Sequence, residues 1–312
     1  NKSLQKELLD FLLERLKYYM KEENIRIDII QASISSFNLD QSVIIFNKAK
    51  NLNKIINKQH GIDIIASYKR AIELKPDYAA AHSNLGNALN GLGQYGEAIK
   101  SYKKAIEIEP FYAEAYNNLG NIQNELRRYK EAVTSYKRAI EIEPFYADAY
   151  NNLGASLSDF DKGEEAIESY KKAIAMKPDF AQSYGNLGNA FFKVENYWQA
   201  IANYRKAIKL KPSYTYAHNN LGAALARTGM HEEAIYNYRQ AITYRPDYFQ
   251  AYSNLGEVLS QLGRNEESII SLRRAIEFKP NFIEAHRNLG KVLKSIRPKL
   301  FSDALAKNYL DE

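Results

Sequence analysis

Proline recurs at a fixed interval of 34 residues along most of this 312-residue chain. Seven of the eight prolines keep this period and lie at positions 76, 110, 144, 178, 212, 246 and 280. A leucine followed directly by a glycine keeps the same step, with the leucines at 85, 119, 153, 187, 221, 255 and 289. A period of this length indicates a stack of equal units, each of which buries its apolar face only against its neighbours.

Within one unit, the residue types predict two helices joined by a turn. Leu, Tyr and Ile at helical spacing would fill the space between the helices, and Gly and Ala would let them approach closely. Proline ends the second helix, because it cannot continue a helix and disfavours helical angles in the residue before it. The residues after five of the prolines are predicted N-caps of the next helix: Asp77, Asp179, Ser213, Asp247 and Asn281.

These residues resemble the tetratricopeptide repeat (TPR) pattern of an aromatic, "NLG", a small alanine, an aromatic, a second alanine and a proline. Six full repeats run 79–112, 113–146, 147–180, 181–214, 215–248 and 249–282, between a lone second helix at 64–76 and a lone first helix at 283–296. The resemblance implies an all-α, right-handed TPR superhelix (α-solenoid). The "NNLG" style looks most like the repeats of O-linked N-acetylglucosamine transferase, but no glycosyltransferase domain accompanies it, so that activity is not carried over.

The flanks of the array lack the 34-residue period. Residues 1–63 are predicted to form a helical N-terminal flank, and residues 297–312 a C-terminal helical tail. The stretch "KELLDFLLERLKYYMKEENIRIDIIQASI" and the tail "IRPKLFSDALAKNYLDE" resemble the C-terminal anticodon-binding region of the bacterial glycyl-tRNA synthetase β subunit. This resemblance implies tRNA contact, with the repeats interrupting that region. The alternative is a helical cap that covers the apolar end of the solenoid.

Composition narrows the range of functions. The chain has no cysteine, which excludes disulfides, thiolate metal sites and cysteine nucleophiles. No apolar run reaches the ~18 residues of a membrane span, and a cytoplasmic location with no membrane contact is expected. The net charge of +6 resides in the flanks, because residues 77–282 carry 24 Lys and Arg against 24 Asp and Glu. A neutral array does not favour a protein that reads nucleic-acid phosphates along its length.

Three motifs mimic functional sites. The sequence from Gly91 to Gly96 spells G-x-G-x-x-G, but it follows a predicted helix and is interpreted as a turn, not a dinucleotide site. His82, His218 and His286 stand where sister repeats carry tyrosine, which predicts packing rather than metal binding. Basic pairs on the second helices are interpreted as solvated faces. No catalytic residue, metal or cofactor is predicted, and the chain is not expected to be an enzyme.

In the TPR family the first helices line a concave face, and positions 2, 5, 6, 9, 12 and 13 of each repeat tend to point there. The candidate groove asparagines at position 6 are Asn84, Asn118, Asn152, Asn186, Asn220, Asn254 and Asn288. Position 5 adds Asn117, Asn151 and Asn219, and position 9 adds Asn87, Asn121 and Asn189. An amide both donates and accepts, which suits a peptide backbone of any sequence. The alternative is that the position-6 amide bonds the neighbouring helix and is structural.

Charged residues at groove positions complete the predicted site. Glu114 and Asp148 stand at position 2, Glu125 and Asp159 at position 13, and Lys193 and Arg227 at position 13 of the next two repeats. The sequence therefore predicts a scaffold that binds an extended peptide, with basic partner residues near repeats two and three and acidic ones near repeats four and five. The alternative function is the non-catalytic, tRNA-binding part of a glycyl-tRNA synthetase β subunit that carries a TPR insertion.

Overall fold

The computed structural model describes residues 62–308, with side chains to residue 296. The predicted helical flank at 1–63 therefore lies almost wholly outside the described residues. Between 62 and 308 the chain forms helices joined by short turns and contains no strand, which confirms the all-α class. It divides into two compact units, Asn1–Pro144 and Phe145–Glu312, which are described separately.

The first unit contains the predicted lone second helix and two full helix pairs. Its helices are α1 (residues 62–74), α2 (Ala79–Gly91), α3 (Tyr95–Ile108), α4 (Ala113–Glu125) and α5 (Tyr129–Ile142). Each first helix packs on the second helix of its own repeat, α3 packs on α4, and the first helices α2 and α4 touch each other. Consecutive packing of this kind is that of an α-solenoid.

The second unit repeats the same arrangement. Its helices are α6 (Ala147–Asp159), α7 (Gly163–Met176), α8 (Ala181–Lys193), α9 (Tyr197–Leu210), α10 (Thr215–Arg227), α11 (His231–Tyr244), α12 (Phe249–Gln261), α13 (Asn265–Phe278) and α14 (Ile283–Asn308). The first helices α6, α8, α10, α12 and α14 contact one another in sequence. The predicted first helix at 283–296 and part of the predicted tail are one continuous helix, α14.

The turn inside each repeat requires a left-handed residue at position 15. Gly93, Gly229 and Gly263 hold it with φ of +73°, +80° and +74°. Arg127, Asp161 and Glu195 adopt it in the other repeats with φ of 57° to 60°, although a side chain makes that conformation costly. The G-x-G-x-x-G sequence is confirmed as such a turn, because α2 ends at Gly91 and α3 begins at Tyr95.

A tyrosine ring lying on a glycine holds the two helices of a repeat together. Tyr102 is 1% exposed, and a Cβ added to Gly86 would lie 2.6 Å from its Cε1 atom. Four more repeats pair the same two positions, Gly120 with Tyr136, Gly154 with Tyr170, Gly188 with Tyr204 and Gly222 with Tyr238. The missing side chain lets the ring reach the helix backbone, so this glycine is a packing residue.

The predicted N-caps were wrong. Helices α2, α8, α10 and α12 begin one residue later, and their caps are Tyr78, Phe180, Tyr214 and Tyr248, without a side-chain cap hydrogen bond. The cation at position 31 lies over the cap ring in these repeats, as with Lys177 at 4.8 Å from the centroid of Phe180. Packing of the aromatic therefore places the helix start, in preference to capping by Asp179.

Candidate functional site

The first helices of the second unit converge on a cavity of about 260 Å³. Its floor contains Ala223 and Ala226 of α10, and its walls contain Arg227 of α10 and Asn254 and Glu257 of α12. These five residues occupy positions 9, 12, 13, 6 and 9 of their repeats, which are four of the six positions predicted to face a groove. The structure thus brings candidate groove residues from neighbouring first helices together around one hollow.

The position-6 asparagines form hydrogen bonds between repeats. Asn118 Nδ2 donates to Asn87 Oδ1 at 3.0 Å, and Asn220 Nδ2 donates to Asn189 Oδ1 at 2.9 Å. The same Asn87 oxygen accepts from the Tyr102 hydroxyl at 2.6 Å, and Tyr204 does the same to Asn189 at 2.8 Å. The position-9 asparagine is therefore an acceptor that ties both helices of its repeat to the next repeat.

Where position 9 is alanine, the acceptor changes. Asn186 Nδ2 donates to Asn151 Oδ1 at 3.0 Å, past Ala155. Asn254 Nδ2 donates to Asn219 Oδ1 at 3.0 Å, past Ala223. The acceptor is now the buried asparagine at position 5 of the preceding repeat, because the shorter position-9 side chain offers no oxygen.

These bonds bear on both predicted roles of the asparagine row. The amides of Asn118, Asn186, Asn220 and Asn254 each bond the preceding repeat, as the structural alternative expects. A primary amide has two N–H donors and an oxygen with two lone pairs, so one bond leaves capacity for a bound backbone.

The remaining candidate asparagines have other surroundings. Asn84 and Asn152 are half-buried, and Asn121 Oδ1 accepts from the Tyr136 hydroxyl at 2.9 Å. Asn288 is buried, and its Nδ2 has no partner among the described residues.

The predicted acidic residues of the first unit, Glu114 and Glu125, both act electrostatically on the same tyrosine. Burial, and then the carboxylates of Glu114 and Glu125, raise the pKa of the Tyr102 hydroxyl above its ordinary value. Glu125 also raises the pKa of the Tyr95 hydroxyl. Both carboxylates are exposed, so they form a negative patch over the tyrosine–asparagine hydrogen bonds of the first repeat.

The charged residues of the second unit have different surroundings. Asp148, Asp159, Lys193 and Arg227 are all exposed. Lys193 Nζ donates to the Ser158 carbonyl at 2.8 Å, so this cation is bound to the end of the preceding first helix. Arg227 lies in the wall of the cavity, which two carboxylates, Glu257 and Glu284, also line. The hollow beside Arg227, on the side of the array where the sequence predicts basic groove residues, is therefore of mixed charge.

The three histidines that were predicted to be packing residues form hydrogen bonds with backbone carbonyl groups. His82, His218 and His286 each place Nε2 at 2.8–3.0 Å from the carbonyl of the proline six residues earlier. Residues 62–308 contain no cluster of three or more side chains suited to a metal ion. None of the helices described is long and apolar enough to cross a membrane.

Sequence reasoning missed the role of the second-helix tyrosines in the site. Their period was visible, but it indicated only packing. The hydroxyls of Tyr102, Tyr136 and Tyr204 reach position 9 of the first helix. The sequence carried a signal for this contact, because the position-9 residue, an asparagine or an alanine, lies fifteen residues before the tyrosine of its repeat.

Comparison with protein families gives matches along most of the array. A model described as TPR repeat matches residues 65–93, 86–126, 161–195, 188–229, 228–263 and 258–296. A second model, described as tetratricopeptide repeat, matches residues 113–146. Together these matches cover more than half of the chain.

Solved TPR structures share this fold. The Cut9–Hcn1 hetero-tetramer of APC/C is 16% identical with a TM-score of 0.66, covering 89% of this chain and 53% of that one. Pseudomonas aeruginosa pilF is 18% identical with a TM-score of 0.62, covering 68% and 97%. YrrB, described as a TPR protein with an unusual peptide-binding site, is 24% identical with a TM-score of 0.50, covering 61% and 97%.

Curated relatives match a shorter stretch. The glycine–tRNA ligase beta subunit of Dinoroseobacter shibae is 33% identical over 67 residues, which is 22% of this chain and 9% of that protein. The same subunit of Paracoccus denitrificans is 32% identical over 65 residues, 21% of this chain and 10% of that protein. The chain thus spans about a tenth of the length of these relatives.

Proposed function

Because this chain belongs to the tetratricopeptide repeat family, we propose that it is a protein-interaction scaffold whose first helices hold an extended segment of a partner protein. The observation that carries this proposal is the convergence of groove positions from α10, α12 and α14 on one hollow of about 260 Å³. Side chains that meet in a concavity can surround a ligand, which isolated surface residues cannot do.

The groups along the first helices suit a peptide. Amides at position 6 offer donors and acceptors to a backbone, and exposed charges beside them select its side chains. Each net hydrogen bond contributes only ~1 kcal/mol, whereas association costs roughly 4–15 kcal/mol. Micromolar or weaker affinity follows, and the chain works by holding its partner rather than by catalysis.

Reversing the acidic patch of the first unit tests this proposal. Peptides of twelve residues, selected from a displayed random library on the full chain, are expected to include Lys- and Arg-rich sequences. The double variant Glu114→Lys, Glu125→Lys should slow their association about tenfold at 10 mM salt, since complementary charge acts mainly on the association rate. The association rate is measured by stopped-flow fluorescence of labelled peptides at 10 and 300 mM salt.

The matched control changes the net charge equally, at the C-terminal ends of second helices. Glu109 and Glu143 end α3 and α5, where sister repeats carry lysine, as at Lys177 and Lys211. Glu109→Lys with Glu143→Lys should leave the selected peptides' association rates nearly unchanged. Equal slowing by both double variants would mean that net charge, not the groove, attracts the peptide, and would count against the proposal.

A second candidate function rests on the short similarity to the glycine–tRNA ligase beta subunit. In this proposal the chain is a non-catalytic part of a synthetase-like protein, and its basic flanks contact tRNA. The full chain should then bind a glycine tRNA transcript at least tenfold more tightly than an unrelated tRNA at 150 mM salt, measured by filter binding. Equal affinity for both RNAs would indicate only non-specific phosphate attraction.

A further inference from the structure

The cavity beside Ala223 lies where several sister repeats carry the position-9 asparagine side chain. In the repeats that carry Asn87 and Asn189, the position-9 carboxamide oxygen accepts from a tyrosine hydroxyl and from the next position-6 amide. The repeat at 215–248 has Ala223 at this position. The side chain that would supply that oxygen is therefore missing there, and the cavity of about 260 Å³ opens above Ala223 and Ala226.

The tyrosine that donates to this oxygen in the sister repeats is present in this repeat as Tyr238. Tyr238 holds the same ring position over Gly222, and only 2% of the residue is exposed. Its hydroxyl makes no hydrogen bond to any described residue, although it lines the cavity. Asn254 corresponds to the position-6 amides that donate to this oxygen in the sister repeats. It also lines the cavity, and one of its N–H groups donates to Asn219. The hollow thus offers an O–H that has no hydrogen-bond partner among the described residues, together with an amide.

The charges around the hollow have opposite signs. Burial raises the pKa of the Tyr238 hydroxyl; Glu257 raises it further, and Arg227 lowers it. Both side chains therefore lie within electrostatic reach of this hydroxyl. Glu284 of α14 contributes a second carboxylate. In the described part of the chain, neither Arg227 nor these two glutamates forms an ion pair, so all three remain available to a ligand.

We propose that this hollow is a binding site for a primary carboxamide, the side chain of a glutamine or asparagine in an extended partner segment. Its oxygen accepts from the Tyr238 hydroxyl and from Arg227, as the asparagine oxygen accepts from tyrosine in the sister repeats. Its NH2 group donates to Glu257 or Glu284. The occupant replaces, from outside, the side chain that Ala223 lacks.

Other side chains fit the hollow less well. A carboxylate would accept from Tyr238 and Arg227 but would face Glu257 and Glu284 with like charge. An ammonium or guanidinium group would face Arg227 and would leave the Tyr238 hydroxyl without an acceptor. An aliphatic side chain would bury that hydroxyl unpaired, which is the costly case for a polar group. Only a neutral group that both accepts and donates satisfies all the groups present.

The specificity of the hollow for a carboxamide can be tested without knowing the natural partner. The inference rests on the proposed peptide-binding function only for the source of the carboxamide. The probes are N-acetyl-glutamine methylamide and its glutamate, lysine and leucine counterparts, titrated into the full chain labelled at alanine methyl groups. The Ala223 and Ala226 methyl resonances are expected to shift with the glutamine probe, with at least fivefold tighter binding than with the other three.

Two substitutions separate the site from the fold. Ala223→Asn installs the residue that sister repeats carry, so the chain should fold, and the new side chain should occupy the hollow and abolish the glutamine response. Ala155→Asn is the matched control, because it places the same side chain at position 9 of a sister repeat and should leave the response intact. Tyr238→Phe keeps the ring and should weaken binding about fivefold, the effect of one hydrogen bond.

The outcomes distinguish this inference from the broader function. Equal shifts for the glutamine and leucine probes, or an unchanged glutamine response in Ala223→Asn, would overturn the carboxamide site. Peptides selected on the chain would still support a scaffold in that case. A glutamine response lost in Ala223→Asn, without any selected peptide, would keep the carboxamide site and overturn the extended-peptide function.

Discussion

Replacing Gly188 with alanine is expected to destabilise the chain by about 1–3 kcal/mol, the usual cost of overpacking a filled core. The new Cβ would lie 2.6 Å from Cε1 and 2.7 Å from Cδ1 of Tyr204. The tyrosine cannot move away cheaply, because it is 1% exposed and its hydroxyl is bonded to Asn189. Urea denaturation followed by circular dichroism measures the change.

Gly290 provides the matched control for this substitution. It has the same place in its half repeat, within α14, but a Cβ there would meet no atom within 4 Å among the described residues. Gly290→Ala is therefore expected to stabilise the chain by up to about 1 kcal/mol through helix propensity alone. Destabilisation of similar size in both variants would show that loss of backbone freedom, not the tyrosine contact, explains the glycine period.

Replacing Asn151 with alanine is expected to destabilise the second unit by about 1–3 kcal/mol, the cost of leaving a buried donor unpaired. Asn151 is 2% exposed, and its Oδ1 accepts from Ser183 Oγ and Asn186 Nδ2, both at 3.0 Å. Ser183 is fully buried, so its hydroxyl cannot turn to water. Thermal and urea unfolding of the full chain report the loss.

The chain offers two controls for this hydrogen-bond network. Ser183 occupies a position that is alanine in every other repeat, so Ser183→Ala should cost little and should recover part of the stability lost in Asn151→Ala. Asn219→Ala removes the equivalent amide from a repeat without that serine and should cost less, because only Asn254 loses its acceptor. Additive effects of the Asn151 and Ser183 substitutions would contradict the coupling.

The sequence by itself was sufficient for the fold class. Each helix of a solenoid packs on the helices next to it in sequence, so local patterns suffice to specify both helices and their pairing. The turn at Gly91–Gly96 followed from the same period. The candidate groove positions came from the resemblance to the TPR family, whose first helices line a concave face.

Only the tertiary structure decided the chemistry of those positions. The N-caps Phe180 and Tyr248 have rings that pack against neighbouring groups, and this packing overrode the capping signal of Asp179 and Asp247. The amides of Asn118, Asn186, Asn220 and Asn254 donate to an oxygen that lies 31 or 35 residues earlier in the sequence, on another helix. The unpaired hydroxyl of Tyr238 likewise exists because Ala223, on another helix, is one side chain too short to reach it.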